Sequence, residues 1–136
     1  MKTNKETATA FYRGKFATAG HLHTDGENIF SYSTLIAQKQ TNGTILINCR
    51  DYSNTTRRHK AHIFRACTDM ALFEVPHIDR PTTTEHARNL VYLENIAHDY
   101  RQKASKARTD RNRQIYTSQA EQASHTANDY FLLFCL

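Results

Sequence analysis

Residues 53–60 read S-N-T-T-R-R-H-K, hydroxyl and amide side chains followed by four basic or protonatable ones. A helix start presents unpaired N–H groups and the positive end of the helix dipole. With the hydroxyls of Ser53, Thr55 and Thr56 and the cations Arg57, Arg58 and Lys60 beside it, such a turn suits a phosphate or another anion. The same residues also suit an ordinary capped helix whose first turn is basic and solvated. A second cationic group, Lys103, Lys106, Arg108, Arg111 and Arg113 with Arg101 just before it, is opposed only by Asp110. The chain carries a net charge of +5. With Arg65 in the first, the two groups exceed that total, so the remainder is slightly acidic. Charge concentrated in this way is expected where the partner is polyanionic or acidic.

Other chemistry finds less support. His21 and His23 share a side if they lie on a strand, and His59 and His62 share a helix face at i, i+3. Four imidazoles can satisfy zinc, with Cys49 as a substitute. Against this, no C-x-x-C occurs and no carboxylate stands at a recognised ligand spacing; the alternative puts His21 and His23 in a polar loop and His59 in the core. A nucleophile needs an adjacent base and an orienting acid, and no G-x-S-x-G turn is present. His59 beside Arg57 and Arg58 could serve a small metal-dependent nuclease as general base. Asp25, Glu27 and Asp51 are too scattered to form its metal-binding acid cluster. No phosphate-binding glycine loop occurs. We therefore expect a non-enzymatic protein without a cofactor or a resident metal.

The elements that position these residues follow from periodicity. F-Y-R-G-K-F-A at 11–17 reads as a short strand. N-I-F-S-Y-S-T-L-I-A at 28–37 reads as a second, with Phe30, Tyr32 and Thr34 on one face. Asn42-Gly43 is a hairpin turn signal, and T-I-L-I-N-C at 44–49 is the returning strand, completing a three-stranded antiparallel sheet. A helix from about Thr56 to Cys67 places His59, Ile63 and Ala66 on one face. Met70 to Val75 is an apolar connector with the option of a fourth strand, and Pro76 and Pro81 bracket a junction.

The last third carries two heptad-like seams. Leu90, Leu93, Ala97, Tyr100, Ala104 and Ala107 form one; Tyr116, Ala120, Ala123, Ala127, Tyr130 and Phe134 form the other. They are out of phase, so a break is expected near Thr109 to Asn112. Reversal about Asp110 brings Ala104 to Tyr116, Tyr100 to Ala120, Ala97 to Ala123 and Leu93 to Ala127, mostly a large residue against a small one. The second reading is one long helix that changes faces. The hairpin model puts the second cationic group at the tip.

The expected architecture is α+β: residues 1–75 form a small antiparallel sheet with one covering helix, and residues 82–136 form a helical hairpin packed as part of the same unit. The length, 136 residues, suits one domain. The N-terminus lacks an apolar signal segment, no run has the length of a membrane span, and three widely spaced cysteines fit reduced thiols. The expected setting is therefore cytoplasmic, without a membrane partner.

S-Y-S-T-L-I-A at 31–37, the Asn-Gly turn, and N-C-R-D-Y-S-N-T-T-R-R-H at 48–59 resemble a module of small phage and mobile-element proteins. Its pattern is S-Y-x-T-x-I-A, then N, then Y-S-x-T-T-x-x-H. The match spans roughly residues 11 to 66 and transfers no catalytic or ligand residue. It implies a genetic setting in which small proteins act on host machinery by binding, inhibitors of CRISPR–Cas immunity among them. Combined with the charge, the expected partner is a host nucleoprotein complex or a nucleic acid. The leading expectation is an anti-CRISPR inhibitor of a Cas effector. A direct DNA-binding accessory or regulatory protein is second, and the small nuclease third.

Overall fold

The structure, a computed structural model, describes residues 2–50 and 53–136. The chain divides into two compact units, Met1–Arg80 and Pro81–Leu136.

The first unit begins with helix α1, Asn4–Tyr12. Its start is a capping box: the Thr3 hydroxyl accepts from the Glu6 N–H, and the Glu6 carboxylate accepts from the Thr3 N–H. Its end is a Schellman turn, in which Gly14 at φ 72 lets the Gly14 N–H reach Phe11 O and the Lys15 N–H reach Ala10 O. Thr7, Ala8 and Phe11 are buried along one face. The strand expected at 11–17 is thus corrected: a capped helix claims residues 11 and 12, and an irregular turn follows.

Six strands follow in spatial order β1-β2-β3-β4-β5-β6. They are β1 (Ala17–Ala19), β2 (Leu22–Thr24), β3 (Asn28–Ser31), β4 (Thr34–Lys39), β5 (Ile45–Asn48) and β6 (Leu72–Val75). The first five form an antiparallel meander, and β6 joins β5 in parallel after a crossover through helix α2, Asn54–Ala66. The sheet is therefore larger than the three strands expected. The Asn42-Gly43 turn joins β4 to β5 as the sequence suggests, with Gly43 at φ 83. The single strand expected over 28–37 is instead a hairpin. Ser31 pairs with Thr34 across a two-residue turn, so Tyr32 leaves the strand at φ 58. The Tyr32 N–H donates to His21 O at 2.7 Å, and its ring stacks on His21 at 4.2 Å. That tertiary contact holds a conformation that tyrosine disfavours.

Helices α1 and α2 both cover one face of the sheet, where a single covering helix was expected. Phe11, Leu22, Ile29, Ile36, Ala37, Ile45, Ile47, Ile63 and Cys67 form the core between them. On the other face Gln38 is buried, donates to Asn28 Oδ1 and Asp79 Oδ1, and accepts from the Arg80 N–H. Those bonds tie the proline-bracketed segment after β6 to the sheet.

The second unit is the hairpin that the out-of-phase seams suggest: α3, Thr83–Lys106, and α4, Asp110–Phe134. Thr82 and Glu85 make a capping box at the start of α3, and Thr109 caps α4. Leu93, Ala97 and Ala104 on α3 and Ala120, Ala127 and Tyr130 on α4 are buried. Ala123, placed opposite Ala97 from the sequence, is only half-buried. The base of the hairpin is polar: the Tyr130 hydroxyl bonds Asn89 Nδ2 at 2.8 Å and His86 Nδ1 at 2.7 Å, and His86 stacks on Phe134. Among the described residues no helix is long and apolar enough to cross a membrane.

Candidate anion-binding surfaces

The start of α2 spends its hydroxyls inside the protein. Ser53 Oγ caps the helix by accepting from the Thr56 N–H. Thr56 Oγ1 lies 3.0 Å from Ser31 Oγ, which lies 2.7 Å from His59 Nδ1. One set of directions satisfies every group: Ser53 donates to Thr56, Thr56 to Ser31, and Ser31 to His59 Nδ1. This keeps His59 neutral, its Nδ1 an acceptor. Ser31, Thr56 and His59 are 1%, 3% and 2% exposed. The Ser–His pair has the composition of a hydrolytic centre, but a substrate carbonyl cannot reach a hydroxyl so enclosed. Its role in the fold is to fasten α2 to β3.

Other residues at this helix divide by exposure. Arg57, Arg58 and Ser53 are exposed, and Thr55 is half-buried. Lys60 is turned inward, 6% exposed, donating to Arg50 O at 3.0 Å and lying 3.8 Å from Glu74. It is part of the joint between α2 and the β5–β6 edge and is not on an open anion surface. Tyr52 of the motif lies outside the described residues. His21 sits in the β1–β2 turn and His23 on β2, stacked on Phe30. Among the described residues no three His, Cys, Asp or Glu side chains gather where they could hold a metal ion.

The tip of the hairpin is built differently. Gln102, Lys103, Lys106, Ala107, Arg108, Asn112 and Tyr116 line an open cleft of about 390 Å³. Lys103 Nζ lies 5.3 Å from the Tyr100 ring centroid and 6.0 Å from that of Tyr116, so two aromatic faces hold this ammonium at the rim. Lys106, Arg108 and Arg111 are exposed. Arg113 is engaged locally, pairing with Asp110 at 2.7 Å and donating to Ala107 O at the end of α3. A larger groove, about 640 Å³, runs beside Arg101, Ala104, Ala120, Ser124 and His125, but it also contains Glu121, so its charge is mixed.

A third cationic surface, absent from the sequence reading, lies on α1. Lys2, Lys5, Arg13, Lys15 and Phe16 line a cleft of about 560 Å³. The missed signal is four cations against one acid in the first fifteen residues, hidden because the expected strand over 11–17 separated them.

Burial sets a pH dependence. His59 is held below the ordinary imidazole value of 6.5, first by burial and then by the nearby His62 and His21. His86 is lowered by burial at the base of the hairpin. In the unfolded chain both protonate more readily than in the fold. Stability from these two groups is complete above 6.5, is lost as pH falls toward the folded values, and is flat below them. Melting temperatures at pH 7.5, 6.0 and 5.0 should fall in that order, and His59→Gln should flatten part of the fall. An unchanged melting temperature across this range would contradict the buried, neutral assignment.

Fold and surface define an α+β protein with enclosed polar joints and exposed cationic clefts. Residues 1–72 match the model of a family of unknown function (DUF8033), and the chain belongs to that family. The match covers α1, the first five strands and α2, and stops at the first residue of β6. No curated protein and no solved structure matches the chain.

Proposed function

We propose that the protein is a non-catalytic binding protein that docks on nucleic acid, or on a host nucleoprotein complex, through the tip of its helical hairpin. The observation that carries this reading is the tip cleft. Lys103, Lys106 and Arg108 converge on one opening beside Tyr116, clear of the buried α3–α4 seam. Cations not needed to fill a core are available for phosphates, and phosphate contacts release counterions on binding. The exposed Arg57 and Arg58 extend the cationic character to the first unit. The enclosure of Ser31 and His59 supports binding over hydrolysis. The resemblance to small phage and mobile-element proteins makes inhibition of a Cas effector in the bacterial cytoplasm the concrete version.

The test is charge reversal at the tip: Lys106→Glu, Arg108→Glu and Arg111→Glu together. Exposed substitutions of this kind change stability by about 0.5 kcal/mol or less each, so circular dichroism should be unchanged. Affinity for a DNA duplex at about 0.15 M salt should fall about tenfold or more, with a shallower salt dependence in the variant. Bacterial survival under CRISPR targeting, with and without the wild-type chain, addresses the inhibitor reading. Unchanged affinity in the folded triple variant would exclude the tip as the docking surface.

A further inference from the structure

We infer that the first unit carries a separate binding site for single-stranded nucleic acid on α1 and the turn that follows it, with Phe16 as the surface on which a base stacks. Four cations, Lys2, Lys5, Arg13 and Lys15, line one cleft of about 560 Å³ with Phe16 at its edge. The acid in the same cleft, Glu6, is occupied by the Thr3 N–H and hydroxyl in the capping box, so its carboxylate is turned to the helix start. No ion pair joins any of the four cations to an acid among the described residues. Phe16 is 80% exposed, although it directly precedes β1.

The turn that presents it is fixed. Gly14 ends α1 in the Schellman geometry, and the backbone at Gly26 is pressed against Gly14 so closely that a Cβ there would lie 2.6 Å from Gly14 C and O and 3.1 Å from Lys15 N. Arg13, Lys15 and Phe16 therefore project from a braced turn. A cationic groove with an aromatic platform is the general recipe for single strands, because every base offers a π-face and the backbone supplies phosphates. Duplex bases are already stacked and cannot use the phenyl ring. A bilayer is flat, whereas these cations line a concavity of a size that takes a small ligand. This site is independent of the hairpin tip and lies within the residues matched by the family model.

The experiment uses the full chain with the tip reversed (Lys106→Glu, Arg108→Glu, Arg111→Glu), so that the tip does not mask the site. The probe is a fluorescent oligothymidylate of about twelve nucleotides, within the usual range for one single-strand site, beside a duplex of equal length and vesicles containing phosphatidylglycerol. The tip-reversed chain should keep salt-sensitive affinity for the single strand and prefer it over the duplex. Phe16→Ala should weaken that affinity about tenfold or more, and Lys5→Glu with Arg13→Glu should do the same, with unchanged circular dichroism. Three outcomes overturn the inference: no single-strand binding by the tip-reversed chain, binding unaffected by Phe16→Ala, or Phe16-dependent binding to vesicles alone. A failure of the tip reading appears instead as tip reversal without effect on duplex binding.

Discussion

Gly26→Ala should be among the most damaging single substitutions in the first unit, lowering stability by about 2–5 kcal/mol. Two costs add. Gly26 sits at φ 95, where a side chain meets a steric penalty of about 1–2 kcal/mol. The new methyl would also stand 2.6 Å from the backbone carbon and oxygen of Gly14, a contact that no rotamer change relieves, because its partner is main chain. Overpacking of a buried site costs about 1–3 kcal/mol more. The turn holding Gly26 is tied down from both ends: Asp25 Oδ1 accepts from the N–H groups of Glu27 and Asn28, and the Gly26 N–H donates to Thr24 Oγ1. It cannot slide away without losing these bonds. Gly43→Ala gives the comparison. Gly43 has a similar φ of 83 but open space around the added carbon, so it should lose only the conformational part. Urea melts of the two variants separate the terms; equal losses would mean that Gly14 and Gly26 do not pack closely in solution. Because Gly14 leads into Lys15 and Phe16, Gly26→Ala should also weaken single-strand binding in whatever fraction stays folded.

Which parts of this fold can be read from residues alone depends on whether the deciding interaction is local. The Asn-Gly turn between β4 and β5 and the hairpin break before Asp110 are set by nearby residues, and both are legible. The turn at Tyr32-Ser33 is not, because it needs Tyr32 at φ 58, a conformation that tyrosine disfavours. The conformation is held by His21, eleven residues earlier, through a hydrogen bond and a stacked ring. Helix α1 lay within reach, since Thr3 and Glu6 are a capping box three residues apart; the aromatic-rich run F-Y-R-G-K-F-A at 11–17 suits a strand by composition alone. Lys60 shows the limit for sites. Its place in a basic run suggests an exposed cation, and only the crossover from β5 to β6 reveals that Arg50 O and Glu74 surround it. Charge at the hairpin tip was legible because a reversal must expose its apex. Charge on α1 was not, because its clustering requires a helix and a turn to come together.

Ser31, Thr56 and His59 form the enclosed joint between α2 and β3, and removing the central one should have the second large effect. Ser31→Ala deletes the hydroxyl between Thr56 Oγ1 and His59 Nδ1, the three groups being linked at 3.0 and 2.7 Å and enclosed. A buried polar group left without its partner costs about 1–3 kcal/mol. Two are left here, so the loss should be roughly 2–6 kcal/mol, although the alanine methyl nearly fills the space. His59→Leu should also destabilise, by orphaning the Ser31 proton. The double variant tests the account. With both Ser31 and His59 apolar, most of the lost pairing no longer has a polar group to penalise, so the combined loss should fall well short of the sum of the single losses. Strict additivity in denaturant melts would show that the two side chains do not interact in solution. The cycle also bears on chemistry. If Ser31 were a nucleophile activated by His59, each single variant would abolish a measurable turnover at temperatures where the fold persists. On the fastening account, the nucleic-acid binding proposed for the hairpin tip survives in both variants, because the tip draws on neither residue.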